Sequence, residues 1–393
     1  MPTGHFRHYL EHYLAPHPSS EIRELYLSTA ILSFATSAVM IFEPIYLYTL
    51  GWSLPAILLF FAAVYLLYFL FLPIGGRICR KHGFEHTILW SSPFLILYYI
   101  CLFATVYSGW FLAFAAVFLT IQKILYWPGY HANFATWMKP SEEGREVSNM
   151  SALLGFATAL APALGGLVAT QFGFKALFGI TAVLILLSNI PLLRTPEIFM
   201  PKEFPYFDSI RRLFTRANRR KTLAYLAFGE ELIALVPWPI FISLVIPDFA
   251  SLGIVVSMAM VANILVTLYV GRLCDEGGRL SVLRSGAVFT AASWAVRVFV
   301  SGGLGVFLID SFYRVSKNML GVPFTAMVYD GAKRNGIVED VILFEMALSL
   351  GKLSAALIAA LIFILSPNFW TGIFILAAVY TCLFAFMPKE KSC

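Results

Sequence analysis

Charge is what this sequence has least of. Asp, Glu, Lys and Arg make up 13% of its 393 residues, against about 25% in an ordinary soluble domain. So few charges do not cover a water-exposed surface, which excludes a soluble globule. Cysteine is sparse too. Cys79, Cys101, Cys274, Cys382 and Cys393 show no CxxC and no metal-ligand spacing, which excludes a disulfide framework and leaves free thiols. The N-terminal stretch lacks the continuous apolar core of a cleavable signal peptide. Walker loop, zinc spacing and nucleophile elbow are also missing. ATP-driven transport and enzymatic chemistry therefore lack support, and no cofactor or metal is expected.

Apolar residues fill the space that charge vacates. Hydrophobic residues reach 59% and mean hydropathy is +0.79. Runs of about 18 or more apolar residues recur, long enough to cross about 30 Å of hydrocarbon as helix. The chain reads as an all-α integral membrane protein with twelve spans. They fall near 25–49, 54–75, 86–107, 109–130, 146–171 and 173–193, then 221–246, 251–273, 280–300, 303–328, 338–365 and 369–387. The organisation is a segment 1–24, a six-helix half 25–193, a polar linker 194–220, a second half 221–388 and a tail 389–393. In the first segment Phe6, Tyr9, Leu10, Tyr13 and Leu14 follow helical spacing, which suggests a short helix on the membrane surface. His5, His8 and His12 could stack on one face of it and bind metal, though such histidines more often simply sit at headgroup level.

Positive charge orients the spans. With the N-terminus inside, the inner loops hold 22 of the 28 Lys and Arg residues, while the outer loops hold only Lys175. That asymmetry fits an even span count with both termini cytoplasmic in the cell membrane. The net charge of +6 is thus topogenic, and no nucleic-acid partner is implied. Membrane lipid is the partner of the basic linker.

The two halves repeat. A fixed offset of 195 carries Pro44-Ile45 onto Pro239-Ile240, Gly76-Arg77 onto Gly271-Arg272, Cys79 onto Cys274, Gly83 onto Gly278 and Pro128 onto Pro323. Six spans separate the copies, so the halves run parallel about an axis along the membrane normal. After the second span of each half stand GRICRKHGFE (76–85) and GRLCDEGGRL (271–280). Both resemble the loop signature G-x-L-A-D-[RK]-x-G-[RK]-[RK] of major facilitator transporters. The second copy keeps Gly271, Leu273, Asp275, Gly278 and Arg279, whereas Arg80 stands in the first copy's acidic position. The resemblance implies the twelve-helix major facilitator fold and a conformational latch in which Asp275 meets the start of the fifth span and Arg145. A carboxylate at a helix N-terminus is favourable by about 0.3–2 kcal/mol. The stretch LLGFATALAPALGGLVATQFG (153–173) is similar to the Gly-Pro-rich signature of proton-coupled exporters, with Ala161 in place of a glycine. Close helix packing is the plainer reading of its small residues.

Ionisable residues at bilayer depth are expensive and usually face a partner or an aqueous cavity. Ten residues are candidates for such a depth. The major facilitator plan puts spans one, four, seven and ten around the cavity, and these carry Glu43, Lys123, Glu230, Glu231, Asp310, Arg314 and Lys317. Arg297 lies on the ninth span, Glu345 and Lys352 on the eleventh. Five acids and five bases suggest mutual pairing. Asp310, Arg314 and Lys317 share one helical face by their i, i+4, i+7 spacing, and Asp310 pairs with Arg314 to leave Lys317 for another partner. Glu345 and Lys352 also share a face. The adjacent Glu230 and Glu231 diverge, so at most one faces the cavity squarely. Glu43, before Pro44, either exchanges protons with the outside medium or fixes the helix end. Lys123 either faces the cavity beside Tyr126 and Trp127 or snorkels, and Trp238 joins an aromatic lining. The proton-coupling candidates are Asp310, Glu43, Glu230 and Glu345. The substrate-cavity candidates are Lys123, Tyr126, Trp127, Glu231, Trp238, Arg314, Lys317 and Lys352. A static salt-bridge network is the competing account of the same charges.

The combined reading is a monomeric secondary transporter that moves a small organic solute with protons, by alternating access and in the export direction. An uncoupled facilitator is the alternative, as is a receptor or lipid scramblase on the same scaffold. Cysteine-accessibility mapping tests the topology: positions 51–53 and 301–303 are expected to label from outside, and 205–215 only from inside. Outside labelling at 205–215 would overturn the span count.

Overall fold

The computed structural model describes residues 20–137, 150, 153–194, 206–273 and 278–388. The expected surface helix with its histidines, Arg145, Asp275 and the tail lie outside the described residues. Among the described residues every regular element is helical.

Eight helical stretches are long and apolar enough to cross a membrane. One of them, 153–193, is two spans, because Gly173 breaks the helix at a φ of +77°. The eighth span, Phe249–Leu273, the ninth, Arg279–Val296, and the tenth, Gly302–Asn335, complete the twelve. The ninth and tenth fail a hydropathy criterion because they carry Arg284, Arg297, Asp310, Arg314 and Lys317. Joins between spans are tight: Gly83 and Gly336, at φ values of +90° and +111°, each serve as a single-residue link between consecutive helices in a region that favours glycine.

Proline sets the breaks, and it sets them in register. The first span divides into Ser20–Met40 and Phe42–Thr49, because Pro44 has no N–H for the Met40 carbonyl. The seventh span divides into Arg219–Leu226, Gly229–Leu235 and Pro237–Val245, and at the second of these breaks Pro239, the repeat mate of Pro44, has no N–H for the Leu235 carbonyl. The second, fourth and tenth helices run to His82, Trp137 and Asn335, seven residues beyond the ends expected from hydropathy. Their last turns are rich in charge and amide (Arg80, Lys81, Asn133, Asp330, Lys333) and are helical all the same.

The halves meet along the second and eleventh spans, the fifth and eighth, and the parts of the first and seventh remote from the termini, with the fourth against the tenth and eleventh. Glycine permits the closest of these approaches. A Cβ on Gly166 would strike the Phe249 carbonyl, and one on Gly253 would strike the Pro162 carbonyl, so the fifth and eighth spans touch backbone to backbone. The neighbouring Gly165 abuts the Ala38 carbonyl of the first span. The APALGG run therefore packs two different spans at once.

On the face that bears the termini, Arg80 joins Glu339 in the first turn of the eleventh span. This ion pair crosses between the halves, and its arginine occupies the acidic position of the loop signature with the charge reversed. A short linker helix, Tyr206–Leu213, lies against the second and eleventh spans on the same side. Arg80→Glu loses an attraction of about 1 kcal/mol and adds a repulsion of similar size, a shift of roughly 2 kcal/mol or about thirtyfold toward opening at this face. Paired spin labels across that mouth should read it, and the double exchange Arg80→Glu with Glu339→Arg should return the wild-type distance. A double exchange that stays open would show that the pair is not a latch.

Candidate functional site

Two cavities lie where the halves face each other. The larger, about 320 Å³, is lined by spans one, five, seven, eight and ten. The smaller, about 190 Å³, belongs mainly to spans one to four. Met40 and Leu235 line both, so a thin apolar septum separates them. The breaks in the first and seventh spans sit beside this septum.

The tenth span supplies the charged wall of the larger cavity. Asp310 accepts from Arg314 Nε at 2.8 Å and from Trp238 Nε1 at 3.2 Å. Arg297 Nη2 stands 3.8 Å from its other side. Lys317 pairs with Glu230 and lies 3.5 Å from Glu231, and Glu231 in turn meets Lys352 at 3.0 Å. Glu230 is wholly buried; its Oε1 accepts from Trp294 Nε1 at 2.9 Å and from the Tyr313 hydroxyl at 2.6 Å. Glu231 lines the cavity and Glu230 does not, which follows from the roughly 100° between successive side chains on a helix. Asp310, Trp238, Arg314 and Lys317 share the lining with Glu231.

Arg297 is the residue that the sequence undersold. It is 0% exposed, with its guanidinium 3.6 Å from the Trp294 ring centre, 3.9 Å from Trp238 and 4.4 Å from Tyr313. None of its nitrogens finds a hydrogen-bond acceptor among the described residues. Ring faces take the place of acceptors; a desolvated cation over one ring gains about 2 kcal/mol. Trp294 and Tyr313 present their faces to Arg297 and their N–H and O–H to Glu230. A single aromatic layer thus joins an acid to a base.

The smaller cavity holds Glu43, Lys123, Tyr126 and Trp127. Tyr98 and Tyr99 donate to the two oxygens of Glu43 at 2.8 and 3.0 Å. Lys123 lies 5.4 Å from the Tyr65 ring centre, and Lys352 lies 5.5 Å from the same ring. Tyr65 is therefore flanked by one ammonium group from each half. Lys352 lines neither cavity.

Glu345 faces the opposite half, where Tyr68 donates to Oε2 at 2.9 Å and His131 Nε2 stands 3.0 Å from Oε1. His131 Nδ1 lies 2.6 Å from the Tyr329 hydroxyl. His131 lies one residue past the expected end of the fourth span; its signal in the sequence is the run Lys123, Trp127, His131 at one-turn spacing on one helical face. Of the latch residues, Gly278 caps the ninth span and Arg279 opens it, while Gly271 lies in the helical end of the eighth.

A sequence profile of the Major Facilitator Superfamily matches residues 25–338. The chain is 22% identical over 341 residues to a protein of Lactococcus lactis subsp. lactis (strain IL1403) named multi-drug resistance efflux pump PmrA homolog, covering 83% of this chain and 84% of that one. It is 24% identical over 274 residues, 66% of each chain, to multidrug resistance protein MdtG of Serratia proteamaculans (strain 568). Among solved structures it is similar to the E. coli fucose:proton symporter FucP, with a TM-score of 0.64, 14% identity, and 94% of this chain and 98% of that one covered.

Asp310 is the only carboxylate found within 4.0 Å of Arg297 or Arg314 among the described residues. Asp310→Asn is expected to lower the thermal unfolding midpoint, since breaking a buried pair costs about 3–5 kcal/mol. Adding Arg314→Gln should recover only part of the loss, because Arg297 stays uncompensated; Arg297→Leu should recover the rest. Thermal denaturation followed by size-exclusion fluorescence reads all three. Full recovery from Arg314→Gln alone would remove Arg297 from the network.

Proposed function

This chain belongs to the Major Facilitator Superfamily, a family of multi-pass membrane transporters rather than enzymes, and we propose that it exports a small organic solute in exchange for protons. One observation carries the proposal. The charges of the tenth and seventh spans, paired with one another and walled by aromatic rings, line a cavity between the halves. At about 320 Å³ that cavity lies at the low end of the range for drug-sized ligands, about 300–1,000 Å³. Its apolar lining includes Trp238 and Tyr313, and its polar lining carries both signs of charge. A solute with an aromatic body and one polar group fits such a lining. Its charge displaces Arg314 or Lys317 from a carboxylate, or the carboxylate from them.

Export is supported by the efflux names of the two sequence relatives and by the small-residue run in the fifth span. The transport step is a rocking of one half against the other. Toward the termini the halves are joined by Arg80 with Glu339 and His131 with Glu345. Toward the opposite face they are joined by the glycine contacts and the Phe42–Phe249 edge contact. Each set must part in turn while the other holds. Both termini are cytoplasmic in this reading, the protein acts as a monomer, and protons supply the driving force.

Everted membrane vesicles from cells producing the protein test the reading. After a proton gradient is imposed, ethidium and fluorescein are added as cationic and anionic aromatic probes. At least one is expected to enter the vesicles and dissipate the gradient, with uptake lost on adding a protonophore and reduced by Glu231→Gln. Uptake that ignores the gradient would favour an uncoupled facilitator, and no uptake of either probe would count against an aromatic solute of this size.

A further inference from the structure

A proton drives alternating access only if its binding site changes affinity between the two arrangements of the halves. Rigid rocking alters only those contacts that cross between halves, which sorts the buried acids. Among the described residues the close partners of Asp310 are Trp238, Arg297 and Arg314, all in the second half. Those of Glu230 are Trp294, Tyr313 and Lys317, again all in the second half. Glu231 meets Lys317 and Lys352 within the same half, and Glu43 is held by Tyr98 and Tyr99 within the first. Rocking leaves each of these shells intact. Glu345 is different, since both of its close partners, Tyr68 and His131, come from the other half.

We propose that His131 and Glu345 form the coupling proton site, with the imidazole of His131 carrying the proton. The proposal rests on the proton-coupled reading given above. Both ring nitrogens are engaged, Nε2 toward Glu345 and Nδ1 toward Tyr329, so the ring orientation is fixed by two spans of the opposite half. With a proton bound, an imidazolium faces a carboxylate at 3.0 Å, and this charge-assisted contact is about twice as strong as its neutral counterpart. The proton therefore favours closure of the face that bears the termini. Parting of the halves at that face separates the pair, and the proton leaves His131 for the water that enters.

The surrounding groups suit such a site. The ionisable neighbours are Tyr68 on the second span, Tyr126 and Tyr130 on the fourth, Tyr329 on the tenth and Lys352 on the eleventh. Only Lys352 among them carries a full charge, and Glu231 of the seventh span holds its ammonium at 3.0 Å. Access exists from the other direction as well. Trp127 lines the smaller cavity and stacks on His131 at 5.4 Å, so the cavity wall reaches to within one helical turn of the pair.

The test needs no substrate. Spin labels replace the exposed Lys81, near the end of the second span, and Arg334, near the end of the tenth, in the full-length protein held in lipid nanodiscs. Their separation is measured between about pH 5 and 8, the interval over which histidine ordinarily titrates. In the wild type the longer distance is expected to gain population as pH rises. His131→Gln, which keeps a donor for Glu345, and Glu345→Gln are each expected to lose the response and to hold one distribution at every pH. A size-exclusion profile confirms that each variant is folded. A response retained in both variants overturns the assignment, as does a wild-type distance that ignores pH. Neither result bears on the dye and proton flux, which decides the transport reading separately.

Discussion

An ion at bilayer depth costs several kcal/mol unless another charge or a polarisable surface replaces its water. That constraint shapes the second half of this molecule. Arg314, Asp310 and Arg297 form one ionic run and Glu230, Lys317, Glu231 and Lys352 another, and the aromatic layer of Trp294 and Tyr313 joins the two into a ladder. Where geometry withholds a carboxylate, aromatic faces stand in, as Trp238, Trp294 and Tyr313 do around Arg297. The ladder reaches across the seventh, ninth, tenth and eleventh spans and ties them into a single body. The first half has fewer buried charges and relies instead on tyrosines around Glu43 and on close aromatic packing.

A body held rigid in this way transmits motion rather than absorbing it. The halves are joined by extensive packing of the second span on the eleventh and of the fifth on the eighth, and the charged side chains of this seam lie toward one face. Toward the face opposite the termini, glycines let the fifth and eighth spans meet through backbone, a contact of fixed strength under all conditions. Toward the termini, polar side chains meet: Arg80 pairs with Glu339, and Glu345 meets Tyr68 and His131. Ionic contacts respond to protonation and to salt, whereas backbone contacts do not. Protonation and salt therefore bear on the seam between the halves mainly at the face of the termini.

Much of this was legible from residues alone. The span count, the 195-residue repeat and the pairing of Asp310 with Arg314 followed from hydropathy, offset and helical spacing. The divergence of Glu230 and Glu231 followed from the same spacing. What escaped was whatever hydropathy misreads. Helical turns rich in charge and amide look like loops, so His131 lies beyond the expected end of its span. The aromatic cage of Arg297 joins residues from three spans, and only Trp294, three positions away on the same helix, hinted at it in sequence. The outward turn of Glu345 toward the other half was invisible as well. It depends on the angle at which the eleventh span crosses the second, and no local spacing encodes that angle.

The repeat also explains why Arg80 is not a defect in the loop signature. Glu339 occupies the first turn of the eleventh span, where the helix dipole already favours an acid by about 0.3–1 kcal/mol. An acidic residue at position 80 would face that carboxylate across the interface, and both would compete for the same positive helix end. Arginine at 80 removes the competition and supplies the missing counter-charge. Position 80 and Glu339 therefore form a unit, in which the geometry of the loop is kept while its polarity is exchanged. Reversal in one copy of the repeat does not require reversal in the other, because Arg80 takes its partner, Glu339, from the first turn of the eleventh span.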